Sequence, residues 1–307
     1  MGNQAIILYY FTSINQIAYA WQGIVLTNQT FDEELAFDAD SIQSLIDDSR
    51  VSRVYSSNMT QVVRMQGLGN RFVVIRGPFK LDANKIINLC SSEVDGGADG
   101  VLIVTPINSF HVNMQYWNAD GSEAEMCGNG LRCVARFAVD NGLVKPGEFI
   151  VKTKVGNLKA IWDGIDPNTI EVQVGRVKIV TAPTALENLQ FYYVDVGNPH
   201  IVTFVDNVDK TPVTTLGPVL EVKPNFPNRT NVEFVEVLSL GKIKMRVWER
   251  GVGETQACGT GMVACARLSH EIMKTELPVI VQVPGGEAKV WLDNQGYCRI
   301  LGPAEYL

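Results

Sequence analysis

No run of lysines and arginines interrupts this 307-residue sequence, and 26 Lys+Arg against 33 Asp+Glu leave a formal charge of −7. Nucleic-acid binding therefore has no electrostatic support. Six cysteines are too few for a disulfide scaffold, and none of their spacings is Cys-x-x-Cys, so a structural zinc site is not indicated. The three histidines, His111, His200 and His270, lie far apart. No clean apolar run reaches the roughly 20 residues of a membrane span. The nearest, residues 5–26, is broken by Thr12, Ser13, Asn15 and Gln16 and has no basic residue ahead of it, unlike a signal peptide. What is present is an ordinary globular composition, 46% hydrophobic and 19% charged with 27 Gly and 13 Pro, in a length suited to about two domains.

The first 58 residues differ from the rest. Their acidic stretch FDEELAFDADSIQSLIDD holds seven Asp/Glu against only Arg50 and Arg53, which places most of the net charge here and argues against an organelle transit peptide. Residues 1–58 read as an appendage outside the chemistry, with a membrane-associating or partner-binding arm as the other reading. From Met59 onward, β-branched and aromatic runs bounded by Gly, Pro and Asn follow one another with few helices between them, which disfavours a doubly wound nucleotide-binding sheet. Helical spacing of apolar residues predicts two prominent helices, over 128–141 and 259–274. The fold class is α+β, strand-rich, with one such helix in each half.

Those helices belong to an internal repeat. CGNGLRCVAR at Cys127–Arg136 aligns without gaps on CGTGMVACAR at Cys258–Arg267, with Glu123 and Glu254 four residues before each cysteine and Asn118 and Glu249 nine before. A repeat at domain period predicts two similar domains related by a pseudo-two-fold axis. In each copy a Cys-Gly-x-Gly step opens a helix. The thiol then sits where unpaired N–H groups and the helix dipole favour negative charge, and its pKa is expected to fall. The glycines allow the same N–H groups to cradle a carboxylate. Two thiols on opposite sides of one carbon suit inversion of a stereocentre: one thiolate removes the α-proton and the other thiol returns a proton to the opposite face. With no lysine motif assignable to pyridoxal phosphate, the residues read as a cofactor-independent racemase or epimerase.

From Val62 to Pro303 the sequence resembles the diaminopimelate epimerase family. The resemblance rests on MQGLGNRFVVI, GADGVLIV, NADGSEAEMCGNGLRC, VGNPHIV, FPNRTNVEFVEV, VWERGVGETQACGTG and LGPA, in family order. It implies two pseudo-symmetric domains, each a strand-rich mixed sheet or barrel wrapped around a central helix, with the site in the cleft between them. The expected division is 59–178, joined by the C-terminal residues 293–307, and 179–292. The resemblance also implies interconversion of LL-2,6-diaminopimelate and its meso form, with no cofactor and no metal.

Carried over by position, Cys127 and Cys258 match the catalytic thiols. Gly128 with Asn129, and Gly259 with Thr260, match the amides that hold the reacting carboxylate. Asn70, Asn118, Asn198, Asn231, Glu249 and Arg250 match substrate-binding positions, and Arg250 suits the distal carboxylate. Glu249 and His200 match polar groups that tune the thiols. Cys90, Cys133, Cys265 and Cys298 read as buried or incidental thiols, and no role is argued for His111 or His270. The sequence departs from the family at Gln66 and Arg71, where His and Asp are usual, and at Glu93 and Asp95 ahead of GADG. Arg71 thereby reverses a charge beside Asn70. A same-fold racemase acting on another amino acid is the alternative, and a non-catalytic binding protein a third reading. The expected partner is the small amino-acid substrate in a reducing cytoplasm, without nucleic acid; a homodimer is left open.

Overall fold

Apolar alternation bounded by glycine turns produces strands along most of the chain, and the computed structural model joins them edge to edge. It describes residues 62–307 and, ahead of them, only the backbone of two short antiparallel pairs, Ala5–Leu8 with Gly23–Leu26 and Ser13–Ile14 with Ile17–Ala18. The reading of residues 1–58 as an appendage lies outside the described residues.

In the first unit a hairpin of β1 (Val62–Gly67) and β2 (Asn70–Arg76) leads through α1 (Ala83–Cys90) to β3 (Gly100–Asn108), parallel to β2. β4 (His111–Asn118) returns antiparallel, and β5 (Glu123–Ala124) folds back on it. Next come α2 (Gly128–Asp140), β6 (Gly147–Thr153) parallel to β4, β7 (Gly156–Trp162) and β8 (Ile170–Gly175).

After β9 (Lys178–Leu186) the same order recurs. β10 (Leu189–Asp195), β11 (Pro199–Phe204) and α3 (Val213–Glu221) are followed by β12 (Asn231–Ser239), parallel to β11. β13 (Lys242–Glu249), β14 (Gly253–Thr255) and α4 (Gly259–Met273) lead to β15 (Val279–Val283), parallel to β13. β16 (Gly286–Leu292) ends the second unit, and β17 (Cys298–Gly302) follows it. β17 pairs with β8 of the first, Val172 opposite Ile300, and β18 (Glu305–Tyr306) pairs with β1. The result is one curled sheet of 18 strands, and the strand-rich α+β class is borne out.

Each central helix is sunk in its half of the sheet. Leu131, Val134 and Phe137 of α2 and Met262, Val263 and Leu268 of α4 have no exposed surface. They share one apolar core with Val151, Val172, Val281, Val290 and Ile300 of the surrounding strands. Full burial of such side chains contributes roughly 1.5–3 kcal/mol apiece, which is what fixes the two helix axes. α1 covers Val73, Ile75, Val101 and Ile103 on the outer face of the sheet, and α3 covers the equivalent Ile201, Val232 and Phe234.

Candidate active site

Both central helices begin at a cysteine. Cys127 (φ −137°, ψ 124°) and Cys258 (φ −121°, ψ 114°) hold extended N-cap geometry, a place usually taken by Ser, Thr, Asp or Asn. Their sulfurs stand in for the capping oxygen: Gly130 N donates to Cys127 Sγ at 3.5 Å and Gly261 N to Cys258 Sγ at 3.4 Å. The two helix ends meet face to face. A Cβ added to Gly259 would lie 2.9 Å from Gly128 Cα and 3.2 Å from Gly128 N, so glycine is what permits this approach. Two positive helix termini held this close form a natural seat for an anion.

The thiols themselves are not tuned as their helix positions alone predict. Burial pushes Cys127 up to about 11, despite hydrogen bonds from Gly130 and Asn129 that pull it down. Burial, with Glu249 and Glu233 adding negative charge nearby, drives Cys258 well above the ordinary thiol value. The expected fall is therefore corrected: desolvation outweighs the helix terminus, and both thiols rest protonated.

Around this pair the structure gathers most of the sequence-predicted residues. Asn70 heads β2, and its Oδ1 accepts from Nδ2 of the buried Asn129, which also donates to Ala257 O at 3.4 Å. Asn198 precedes β11 and donates to Thr260 Oγ1 at 3.2 Å, while its Oδ1 lies 3.0 Å from His200 Nε2. Asn231 heads β12 and spends its amide on backbone, donating to Pro199 O at 2.8 Å and accepting from Arg250 N at 3.0 Å. Glu249 ends β13 and accepts from the Thr255 hydroxyl. Burial lifts its carboxyl from 4.5 to about 7, and its charge acts on both thiols.

Two of the predicted residues turn their side chains to partners outside this set. Asn118 ends β4 and donates to Ser122 Oγ at 3.0 Å within its own turn. Arg250 is exposed, its guanidinium 3.4 Å from Asn228 O. Cys90, Cys133, Cys265 and Cys298 are buried free thiols, and His270 bonds to Thr275 O at 2.6 Å.

The departures in the first unit answer one another. Arg71 does not bring a new charge to bear on Asn70: it donates to Asp95 O at 2.7 Å and Gly96 O at 3.4 Å. Arg64 reaches Asp95 Oδ2 at 3.2 Å and Leu89 O at 3.2 Å in the same stretch. Gln66 donates to Glu305 Oε2 at 2.8 Å.

Four supporting residues carry no signal in the sequence reading. Arg132 is fully buried on α2 and donates to Asn129 Oδ1 at 2.8 Å, fixing which way that amide points. Asp99 takes Asn70 Nδ2 at 3.3 Å. Glu221, at the end of α3, accepts from Gly251 N at 2.8 Å and Trp248 Nε1 at 2.8 Å, holding the turn that carries Arg250. Glu233 lies wholly buried against His200. The structure covers it because β12 pairs in parallel with β11, and parallel strands are usually covered on both faces. Among the described residues no three His, Cys, Asp or Glu side chains gather as a metal site, and no helix is long and apolar enough to cross a membrane.

A family model described as diaminopimelate epimerase matches residues 62–180 and 192–307. A diaminopimelate epimerase of Geobacillus sp. (strain WCH70) is 35% identical over 276 residues, 81% of this chain and 96% of that protein. One from Desulforudis audaxviator is 38% identical over 268 residues, 80% of this chain and 96% of that protein. Among solved structures, a Bacillus anthracis phenazine biosynthesis protein of the PhzF family superposes with TM-score 0.61 at 19% identity, covering 80% of this chain and 96% of that one. A hydroxyproline epimerase from Agrobacterium vitis superposes with TM-score 0.60 at 17% identity, covering 81% and 89%, and this likeness extends to the fold alone. Repeat, fold and relatives agree: the chain belongs to the diaminopimelate epimerase family and is an isomerase of the amino-acid epimerase type.

Proposed function

We propose that the protein interconverts LL-2,6-diaminopimelate and meso-2,6-diaminopimelate, within lysine and peptidoglycan-precursor biosynthesis, by a two-thiol, two-base reaction that uses no cofactor. The observation that carries this reading is the pair of N-capping thiols on helix ends that meet through Gly128 and Gly259. The α-carboxylate sits between the helix ends, taking the amides of Gly128 and Asn129 and of Gly259 and Thr260. Negative charge that develops as the α-proton leaves spreads onto this carboxylate, where those donors already point. One sulfur, as thiolate, takes the proton, and the other, as thiol, gives its own to the opposite face. The two sulfurs exchange roles, so each turnover leaves the site ready for the reverse direction.

Both thiols rest protonated, so one gives its proton to bulk water before it can serve as base. The substrate's α-ammonium brings a positive charge beside them, and ionised Glu249 is the group to receive it. Arg250, exposed on its turn, binds the distal carboxylate through a planar two-point fork. Six free cysteines suit a reducing compartment, and the cytoplasm is proposed on that ground.

The experiment is epimerisation of LL-diaminopimelate in deuterated water, read by chiral separation and by isotope entering the α-carbon. Wild type inverts the centre and incorporates solvent deuterium; Cys127→Ala and Cys258→Ala each abolish inversion, while Cys133→Ala and Cys265→Ala stay within a few-fold. Near-full inversion by Cys258→Ala would end the two-base reading. Turnover of a different amino acid in a panel, with none of LL-diaminopimelate, would favour a same-fold racemase instead.

A further inference from the structure

Behind Cys258 lies a hydrogen-bonded chain that starts at a group the reaction does not require. Glu233 Oε1 is 2.6 Å from His200 Nδ1, and both side chains are completely buried. Its second oxygen, Oε2, is buried without a hydrogen-bond partner. The same carboxylate lies against the first turn of α4, where a Cβ on Gly261 would meet Oε1 at 2.9 Å. From His200 Nε2 the chain runs 3.0 Å to Asn198 Oδ1, then from Asn198 Nδ2 3.2 Å to Thr260 Oγ1, and from Thr260 Oγ1 3.5 Å to Cys258 Sγ.

Donor and acceptor rules give this chain a direction. Asn198 Oδ1 only accepts, so His200 Nε2 must carry a hydrogen. Asn198 Nδ2 fills the acceptor side of the Thr260 hydroxyl, whose own hydrogen is then free for the sulfur. Two proton placements satisfy the start of the chain: ionised Glu233 facing doubly protonated His200, or protonated Glu233 donating to Nδ1 of neutral His200. Both leave the pair without net charge and Nε2 as a donor. The titratable groups around it are Glu249, Cys258 and Cys265, all made harder to ionise by burial, so a neutral pair is the arrangement this pocket favours.

We propose that Glu233 is a positioning residue: it keeps the hydrogen of His200 on Nε2 and so, through Asn198, aims the Thr260 hydroxyl at Cys258. This rests on the reading of Cys258 as a reacting thiol. Without Glu233, His200 is free to carry its hydrogen on Nδ1. Asn198 then turns its amide to donate to Nε2, Thr260 donates to Asn198 instead, and the Cys258 thiolate loses a hydrogen bond. The first unit's counterpart, Asp99 to Asn70 to Asn129, holds no imidazole whose hydrogen could move, and the Asn129 side-chain amide donates to Asn70 and Ala257 O, not to Cys127. There the counterpart of Thr260 is Asn129, oriented by Arg132, which makes Cys127 an internal control.

The test is the pH dependence of iodoacetamide alkylation at each thiol, followed by peptide mass spectrometry; a site that admits an amino acid admits this reagent. A hydrogen bond to a charged group is worth enough that Glu233→Leu should slow Cys258 alkylation at pH 8 by at least about tenfold and move its profile to higher pH, with Cys127 unchanged within about twofold. Glu233→Gln, whose amide donates to Nδ1, should restore Cys258 to within about threefold of wild type. Thr260→Val should reproduce the Cys258-specific slowing, and Glu233→Leu should add nothing further in that background.

Equal slowing of both thiols, no rescue by Gln, or additive effects in the double variant would overturn the proposal. If Glu233→Leu does not fold, Thr260→Val decides: normal Cys258 alkylation in that variant overturns it. Wild-type protein that leaves LL-diaminopimelate unchanged defeats the functional reading, whereas turnover with Cys258 indifferent to Glu233 and Thr260 defeats this inference alone.

Discussion

Glu249 lies beside both thiols with its carboxyl lifted by burial from 4.5 to about 7. Below that pH it is neutral and offers an ammonium group little attraction, so kcat/KM should fall as pH drops through about 7. Glu249→Gln should remove this acidic limb, with kcat/KM well below wild type above about pH 7 and converging on it as pH falls below about 7. The same shift affects folding with the opposite sense. A raised carboxyl favours the folded state fully below pH 4.5 and loses that contribution as pH rises through about 7, a difference of about 3 kcal/mol. Glu249→Gln should therefore melt several degrees above wild type at pH 8 and close to it at pH 4.5, at roughly 2–4 °C per kcal/mol for a chain of this size. Equal melting shifts at both pH values would remove burial as the cause.

Arg250 makes a second prediction at this scale. If bound substrate covers Arg250 and its distal carboxylate, losing that desolvated pair costs about 2–5 kcal/mol, so Arg250→Ala should lower kcat/KM for LL-diaminopimelate by at least about 100-fold, with Lys recovering part of it. Unchanged kcat/KM would sink the distal-carboxylate assignment. The cysteines were legible in the sequence because they recur with their flanks. Arg132 and Glu233 were not, since a charge is read as solvated until its strand or helix is known to be covered on every side.

Between elements, the telling feature is that α2 and α4 touch through glycine backbone. Gly259→Ala would bring a methyl group within 3.2 Å of Gly128 N, and backbone cannot step aside as a side chain can. The helix ends must separate, and the seat between them widens. We expect Gly259→Ala to keep its strands by circular dichroism and to lose at least about 100-fold in kcat, because displacement of reacting groups by about 1 Å costs that much; near-normal kcat would show that the close approach is dispensable.

Both helices were readable to within a residue, ending at Asp140 and Met273 where the spacing predicted Asn141 and Lys274. α1 and α3 were not read. α1 is one two-turn segment whose start depends on Asp82 capping Lys85 N, and α3 is rich in Val and Thr and carries Pro218 internally. Its helicity follows from burial of Val213 and Leu220 rather than from propensity.

For the whole molecule, the last residues close the first unit. Arg132 Nε donates to Pro303 O at 3.0 Å, Arg136 Nη1 to Ala304 O at 2.5 Å, and Leu307 N to Arg64 O at 3.0 Å. Truncation after Gly302 would leave the buried Arg132 short of an acceptor and should lower the melting temperature by at least about 5 °C; an unchanged melt would show that water replaces these carbonyls. We propose the division into 59–178 with 293–307 and 179–292, with this return of the chain as its motive. The repeat in the sequence announced two like units. It was silent on the β8–β17 ladder that seats the returning C-terminal strand, because pairing between strands so far apart leaves no local pattern.

β18 beside β1 brings the two ends of residues 62–307 together, while the step from β8 to β9 is a two-residue link of exposed Arg176 and half-buried Val177. The order of the halves along the gene is then incidental to the architecture. Topologically this body is a ring of two equivalent arcs that happens to be cut beside β1. A circular permutant joined across Leu307 and Val62 and opened at Arg176 would trace the same sheet with the Cys258 arc read first.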